Sequence, residues 1–466
     1  MAWKFRSTHA WCCRALGFLV LAVAAAASAA QPYPVHISLA ASAPQIVWRY
    51  EYPGSPCVPG DYADVPVRPF LVNGTQPGTY RVLWFAANSN GYYASETAGN
   101  DVTPTDITLE HFKRRPGCPR WVHSKPYAGS WPDSYYTGLW MVAPFTEDGI
   151  HIYALVHNEF HGEWTGKTRW CAQQQAGIYL PCDYWNIVAA FSTDAGRQFA
   201  LHQLRPGWNQ PAIALAEPYR PNWNQPPIPQ GMVAQSNIIE QGGFAYVLAQ
   251  QITTSPLVPA KDNGGTCLFR APVPLAATTV WQGWGGSGKG WIDLPSTYPS
   301  DPILPPCAMV LPGVFRFSWS YNPKIKQFVM LGIASDSSYR TTCPAADPSV
   351  DNSDEAFVYM TATADLPAGR FTPVTKQTCL LRINWFDRWG QSWPTKTGAA
   401  YPSLLDPASP GLQPGGGTDL NFQYSGAHPY LYYTRLNSYH VTRNLNDRDV
   451  VRWGLTVEPA KESRWR

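Results

Sequence analysis

The apolar residues of this 466-residue chain come in short runs. Beyond the first thirty positions no long segment repeats apolar residues at i, i+3, i+4 and i+7, as an amphipathic helix would. Short β-branched and aromatic runs bounded by Gly, Pro, Asn and Asp recur instead. That pattern predicts an all-β chain. One rhythm runs along it: a short strand with Ser, Arg or Asn near its start, a turn, then a hydrophobic strand rich in Tyr. Copies begin at Arg68 (RPFLVNGTQPGTYRVLWFAAN), Leu139 (LWMVAPFTEDGIHIYALVHNEFHG), Gln235 (QSNIIEQGGFAYVLAQQ) and Phe317 (FSWSYNPKIKQFVMLGIAS). A fifth begins at Tyr401 (YPSLLDP) and resumes at Ser425 (SGAHPYLYYTR). Spacings of roughly 70 to 95 residues hold four strands with their loops, the content of one propeller blade. The expectation is a five-bladed β-propeller with four-stranded antiparallel blades, forming a single domain over residues 31–466.

The first thirty residues follow another pattern. Lys4, Arg6 and Arg14 surround the start of an apolar stretch from Ala15 to Ala27, and Ala27-Ser28-Ala29 has the small-x-small form of a cleavage site. Residues 1–30 therefore read as a secretory signal peptide; the apolar stretch is too short for a membrane span. Its three bases account for the whole formal net charge of +3, so the remainder is neutral. Cys12 and Cys13 leave with the leader. Cys57, Cys118, Cys171, Cys182, Cys267, Cys307, Cys343 and Cys379 remain, an even set that suits disulfides in a secreted or periplasmic protein. Sequential pairing is the simplest arrangement, with Cys171–Cys182 the most local pair.

Composition narrows the partners. Charged residues are 14 % of the chain and aromatic residues another 14 %, where an average soluble protein has about 25 % charged residues. The apolar share of 45 % excludes a disordered chain. Without a basic excess, nucleic-acid binding through phosphates is excluded. No C-x-x-C pair occurs, and neither a metal nor another cofactor is expected. Gly283 to Gly290 (GWGGSGKG) approximates a phosphate loop but ends in Gly where Ser or Thr is needed, outside any strand–helix context.

Ser192-Thr193-Asp194-Ala195-Gly196-Arg197-Gln198-Phe199 matches S-x-D-x-G-x-x-[FW] and resembles the Asp-box hairpin turn of sialidase-type propellers, where the motif is structural. The wider pattern over residues 60–455 resembles the secreted five-bladed propellers of the arabinanase, fructosidase and related glycoside hydrolase superfamily. It also resembles exported bacterial proteins with YALVHNE-, SNI- and YPSLLD-like segments.

In a propeller the inner strands converge on a central funnel, so polar residues at the start of each inner strand, or the end of the next, are the site candidates. Blade one offers Asp64 and Arg68. The resemblance implies that a carboxylate here is the general base or nucleophile, with Arg68 binding substrate or holding Asp64 ionised; the bland alternative is a turn Asp with an Arg ion pair. Blade two offers His157-Asn158-Glu159. Alternation puts His157 and Glu159 on one strand face, and a Glu beside a His among aromatics suits a general acid. Blade three offers Ser236-Asn237, where the superfamily often has Asp, and Arg270 beyond Cys267. Blade four offers Arg316, Ser318 and Ser320, without an acid. Blade five offers Tyr401, Ser403 and Asp406, the last either a third carboxylate or part of a Leu-Leu-Asp-Pro turn.

Asp64 and Glu159 are the expected catalytic pair, with Arg68, His157, Asn237, Arg270 and Asp406 binding substrate. Trp208-Asn209-Gln210-Pro211 recurs as Trp223-Asn224-Gln225-Pro226, and Trp281, Trp284 and Trp291 flank the Gly-rich turn; these are sugar platforms or packing residues. The reading is an exported glycoside hydrolase-like protein that cleaves a poly- or oligosaccharide, and a monomer is expected. The alternatives are a carbohydrate-binding propeller without turnover, and a structural or partner-binding envelope protein.

Overall fold

A computed structural model of the chain describes residues 34–50, 63–85, 94–96, 101–110, 113–114, 138–161, 183–201, 213–215, 230–252, 265–294, 307–311, 315–346, 350, 353–384, 397–437 and 447–460. The chain divides into two compact units, Met1–Gln31 and Pro32–Arg466, and all described residues belong to the second. Among them, no helix is long and apolar enough to cross a membrane.

The second unit is a five-bladed β-propeller, and each copy of the sequence rhythm is the inner hairpin of one blade. Blade one runs Arg68–Asn73, Tyr80–Phe85, Ala94–Glu96, Lys113–Arg114 from the centre outward, all antiparallel. Blade two runs Gly138–Thr146, Ile152–His161, Asp183–Ser192, with a split outer strand at Ala200–Leu201 and Ile213–Leu215. Blade three has a split inner strand, Gln230–Val233 and Ile239–Gln241, followed by Phe244–Ile252, Gly265–Pro272, Gln282–Trp284 and Trp291–Asp293. Blade four is Phe315–Asn322, Gln327–Ser335 and Glu355–Asp365, flanked by Arg370–Pro373 and Thr378–Arg382. Blade five is Gly398–Leu405, Tyr430–Leu436 and Arg448–Pro459. Its outer edge comes from the other end of the chain, Val35–Leu39 and Gln45–Trp48, which closes the ring.

Alternation along each strand sends successive side chains to opposite neighbours, and every junction between blades has its own apolar cluster. Phe70, Val72 and Leu83 meet Met141, Ala154 and Val156 between blades one and two. Phe145, Tyr153 and Leu155 meet Ala245, Val247 and Phe269 next. Tyr246 and Leu248 meet Trp319 and Met330, Leu331 and Phe357 meet Leu431 and Tyr433, and Tyr432 and Val450 meet Leu71 and Trp84. Five such seams close a ring. Cys267–Cys307 and Cys343–Cys379 are bonded as sequential pairing predicts; the other four cysteines lie outside the described residues.

The Asp-box is a turn, as expected. Asp194 Oδ1 accepts the backbone N–H of Arg197 and of Gln198, each at 3.0 Å, and the Ser192 hydroxyl at 2.8 Å. Gly196 stands at φ 72°, and Phe199 is buried between blades one and two. The segment around GWGGSGKG is the hairpin joining Gln282–Trp284 to Trp291–Asp293.

One segment exceeds the blade plan. Residues 406–426, which interrupt the fifth copy, cross the ends of the inner strands and bond to all four other blades. Leu71 N–H donates to Leu420 O at 2.8 Å, and Asn421 both accepts from Thr146 N–H and donates to Thr146 O, each at 2.8 Å. Glu240 N–H donates to the Gln423 side chain, Tyr321 N–H to Gln423 O, and Asn322 Nδ2 to Gly426 O. Fully buried Asp419 organises the crossing: Ser409 Oγ, the N–H groups of Asn421 and Gln423, and Gln423 Nε2 all donate to it. Burial still raises its carboxyl above the ordinary range, against those hydrogen bonds. Asn421→Ala strands a buried donor and a buried acceptor on Thr146. It is expected to lower unfolding stability by about 2–4 kcal/mol, read as a drop in the denaturation midpoint; a shift within error would mean the crossing is not part of the fold's stability.

Candidate functional site

The opposite end of the ring, where inner strands begin and second strands finish, collects the polar candidates. Arg68 starts the inner strand of blade one and reaches across the axis. Its Nη1 donates to Ser403 Oγ of blade five at 2.7 Å and to Ser318 Oγ of blade four at 3.5 Å. The room for it has a local origin. The inner strands of blades two, four and five each carry a register shift, and the residue just after it is Ala143, Ser318 or Ser403. All three are fully buried and small, and two of them, Ser318 and Ser403, accept the guanidinium. Burial pulls the Arg68 guanidinium down to about 9, which leaves it a cation at neutral pH.

Asp64 lies just ahead of that strand and meets donors from two other blades. Arg448 Nη1 of blade five and the Tyr401 hydroxyl, at 3.1 Å, both donate to Oδ1; Trp140 Nε1 of blade two donates to Oδ2 at 3.1 Å. Tyr401 sits at the register shift of its strand with φ 56°. For a non-glycine residue that left-handed conformation costs about 1–2 kcal/mol, and here it accompanies the hydroxyl contact to Asp64. Arg448→Met removes the cation while keeping the stem. Because Arg448 and Asp64 are 11 % and 14 % exposed, the variant is expected to lose about 3 kcal/mol. Adding Asp64→Asn should recover much of that in a double-mutant cycle; strictly additive losses would mean the pair is not coupled.

Trp140 ties Asp64 to the second carboxylate. Its ring lies 5.5 Å from the His157 ring, and Trp185 meets the same imidazole edge-on at 6.0 Å. His157 Nε2 and Glu159 Oε1 are 2.8 Å apart, with both side chains 10 % exposed. A proton lies between them, whichever atom owns it. His157 Nδ1 is buried without a hydrogen-bond partner, as is Asn158 Oδ1, while Asn158 Nδ2 donates to Asn186 at 2.7 Å. Among the described residues no cluster of His, Cys, Asp or Glu is placed to hold a metal ion.

Asp64, Arg68, His157 and Glu159 thus share one end of the ring, and three of the predicted binding residues do not extend the group. Asn237 has its amide engaged with blade four: Nδ2 donates to Trp319 O at 2.8 Å and Oδ1 accepts from Trp319 N–H at 3.1 Å. Arg270 is on the third strand of blade three, paired with Tyr246 toward the far end. There it donates to Gln282 at 2.8 Å and lies between Phe244 and Trp291 at 4.4 and 4.2 Å. Asp406 ends its inner strand, at the sealed end, and accepts the N–H groups of Ala408 and Gly426 at 2.9 and 2.6 Å. The turn reading of that residue is the one observed. Among the tryptophans, Trp281 donates to buried Tyr153 at 3.0 Å and Trp291 to Pro367 O at 2.7 Å, both packing roles; Trp208 and Trp223 lie outside the described residues, as does the side chain of Arg316.

Sequence reasoning missed Arg448, Trp140 and Trp185. Arg448 and Asp64 are separated by 384 positions. Trp140 carried a usable signal, being the polar-edged residue at the start of the second copy.

The chain matches no family model and no curated protein. Solved structures similar to it include an α-L-arabinofuranosidase of Podospora anserina in complex with cellotriose, at 10 % identity over 92 % of this chain and 99 % of that one, with a TM-score of 0.41. A glycosyl hydrolase of Bacteroides ovatus aligns at 11 % identity over 90 % and 93 % of the two chains, TM-score 0.41. The catalytic domain of a Coprinopsis cinerea α-L-arabinofuranosidase aligns at 10 % identity over 91 % and 98 %, TM-score 0.39.

Proposed function

We propose that this protein is an exported glycoside hydrolase acting on a poly- or oligosaccharide, with Asp64 and Glu159 as its two carboxylates. The observation that carries the reading is the chain of contacts Asp64–Trp140–His157–Glu159 at one end of the ring. Glycoside hydrolysis needs one group to protonate the leaving oxygen and a second to attack or to activate water. Asp64 meets only donors, which suits an acceptor-only carboxylate, and Oδ2 keeps acceptor capacity beyond Trp140. It takes the role of base or nucleophile. Glu159 shares a proton with His157 and takes the role of acid. The apolar faces of Trp140 and Trp185 suit a sugar ring. Export is supported by the signal-like first thirty residues and by the cystine bridges.

A second reading, sugar binding without turnover, is favoured by one observation: much of the acceptor capacity of Asp64 is already taken by Arg448, Tyr401 and Trp140. Incubating the purified protein with a panel of polysaccharides and oligosaccharides separates the two. Release of reducing ends supports hydrolysis. Saturable binding with no release would replace it with the second reading.

A further inference from the structure

Asp64 is held from outside its own blade. It precedes Arg68, where the ladder of blade one begins, so that ladder does not fix its carboxylate. The groups that do fix it come from blades two and five. Arg448 Nη1 donates to Oδ1 and lies 3.5 Å from the Ala63 carbonyl oxygen, so one nitrogen engages both the side chain and the backbone ahead of it. The Tyr401 hydroxyl donates to the same carboxylate oxygen at 3.1 Å. Arg448 is itself fixed on the strand Arg448–Pro459, paired with Leu436. Its neighbour Asp449 accepts Tyr50 N–H at 3.1 Å, and Arg452 donates to Gln45 and to Thr108 O and Glu110 of blade one. Among the described residues, the two ion pairs that pass from one blade to another are Arg448–Asp64 and Arg452–Glu110. Both leave this strand and cross the seam that closes the ring.

Each oxygen of a carboxylate has two lone pairs, and the donors on Oδ1 engage both. Oδ2 faces Trp140 Nε1 at 3.1 Å, and the Trp140 ring leads on to His157 and Glu159. We propose that Arg448, together with the Tyr401 hydroxyl, positions Asp64 for reaction. By holding Oδ1 they turn Oδ2 toward Trp140 and make it the oxygen that attacks, or that takes a proton from water. Arg448 acts through Asp64 and is a positioning residue. This rests on the glycosidase reading above.

Isotope labelling of the tryptophan indoles of the full chain for NMR monitors this contact, because Trp140 Nε1–H donates to Oδ2; Trp140→Phe identifies the signal. Arg448→Met is expected to move the Trp140 signal. Those of Trp281 and Trp319, whose indoles donate to Tyr153 and to Asn237 O, should stay in place. On a glycan that the parent cleaves, kcat per folded molecule should fall about 100-fold, the cost of a displaced reacting group, with KM changed less than about threefold. Arg448→Lys still offers Asp64 one charged nitrogen, so it should keep the Trp140 signal and lose no more than about tenfold. Tyr401→Phe removes only the hydroxyl and carries the test if Arg448→Met does not fold. It should also move the Trp140 signal and lower kcat about tenfold, as the loss of one hydrogen bond to a charged group does. An unmoved Trp140 signal in the folded variants would overturn the inference whatever the turnover. So would movement of all three signals together, which would assign Arg448 to the fold alone. A moved Trp140 signal with unchanged kcat overturns it as well, while hydrolysis itself stands. If no glycan is cleaved, the glycosidase reading fails and takes the role of Oδ2 with it; the Trp140 signal still decides whether Arg448 and Tyr401 hold the carboxylate.

Discussion

Glu159→Gln is expected to lower turnover of a natural glycan by about 100- to 10,000-fold, the range a positioned general acid supplies. The amide keeps the side chain's size and its acceptor toward His157 Nε2, so the melting temperature should hold and the change in stability stay near 0.5 kcal/mol. What is lost is the proton. A substrate whose leaving group needs no protonation, such as an aryl glycoside with an acidic phenol, should therefore lose less than about tenfold. Asp64→Asn should lose both substrates alike, because attack is required whatever leaves. Equal losses on the two substrates in the Glu159 variant would remove the acid role. Unchanged activity in either variant would remove that residue from the mechanism. His157→Ala provides a further contrast: it deletes the partner of Glu159 and the ring between Trp140 and Trp185, so both stability and turnover should fall.

The blades were legible because their signal is local. Alternation in IYALVHNE sends Ala154 and Val156 to blade one and Tyr153 and Leu155 to blade three, and repetition of that hairpin set the number of blades. The Asp194 turn was legible for the same reason, since the hydrogen bonds to the Asp194 side chain close within the motif. Alternation gives the face of a strand but not the end of the ring to which a residue belongs. Asp64 and Glu159 lie at a strand entry and a strand exit, and both are at the end of the ring where inner strands begin. Asp406 follows the end of an inner strand and Arg270 is on a third strand, so the register puts both away from Asp64 and Glu159. Asn237 is at the right end of its blade, but its amide fits the Trp319 backbone of the next blade, a match between blades that no single segment encodes. The sealing segment hid for a related reason. Its Gly- and Pro-rich sequence has the composition of a loop, and its buried character comes from partners on four other blades.

Gly231→Val is expected to be the most damaging single substitution on the fold that also reaches the site. Gly231 opens the inner strand of blade three and pairs in parallel with Trp185 of blade two, the strand contact that joins those two sheets. Its φ is 118°, a conformation that a β-branched residue adopts only under strain. A Cβ at this position would lie 1.8 Å from the Trp185 carbonyl oxygen and 2.8 Å from its carbonyl carbon. Both atoms are backbone, so no side chain can swing aside; either the strand pairing opens or the Trp185 backbone moves. Strain and overpacking together put the cost at about 3 kcal/mol or more. Moving Trp185 also removes the edge-on contact that holds His157, and with it the geometry of Glu159. The expected result is a lowered denaturation midpoint together with loss of turnover or ligand binding even in the fraction that remains folded. A variant as stable as the parent would show that the two sheets do not need this contact. A destabilised variant with full activity per folded molecule would show that Trp185 does not hold His157 in place.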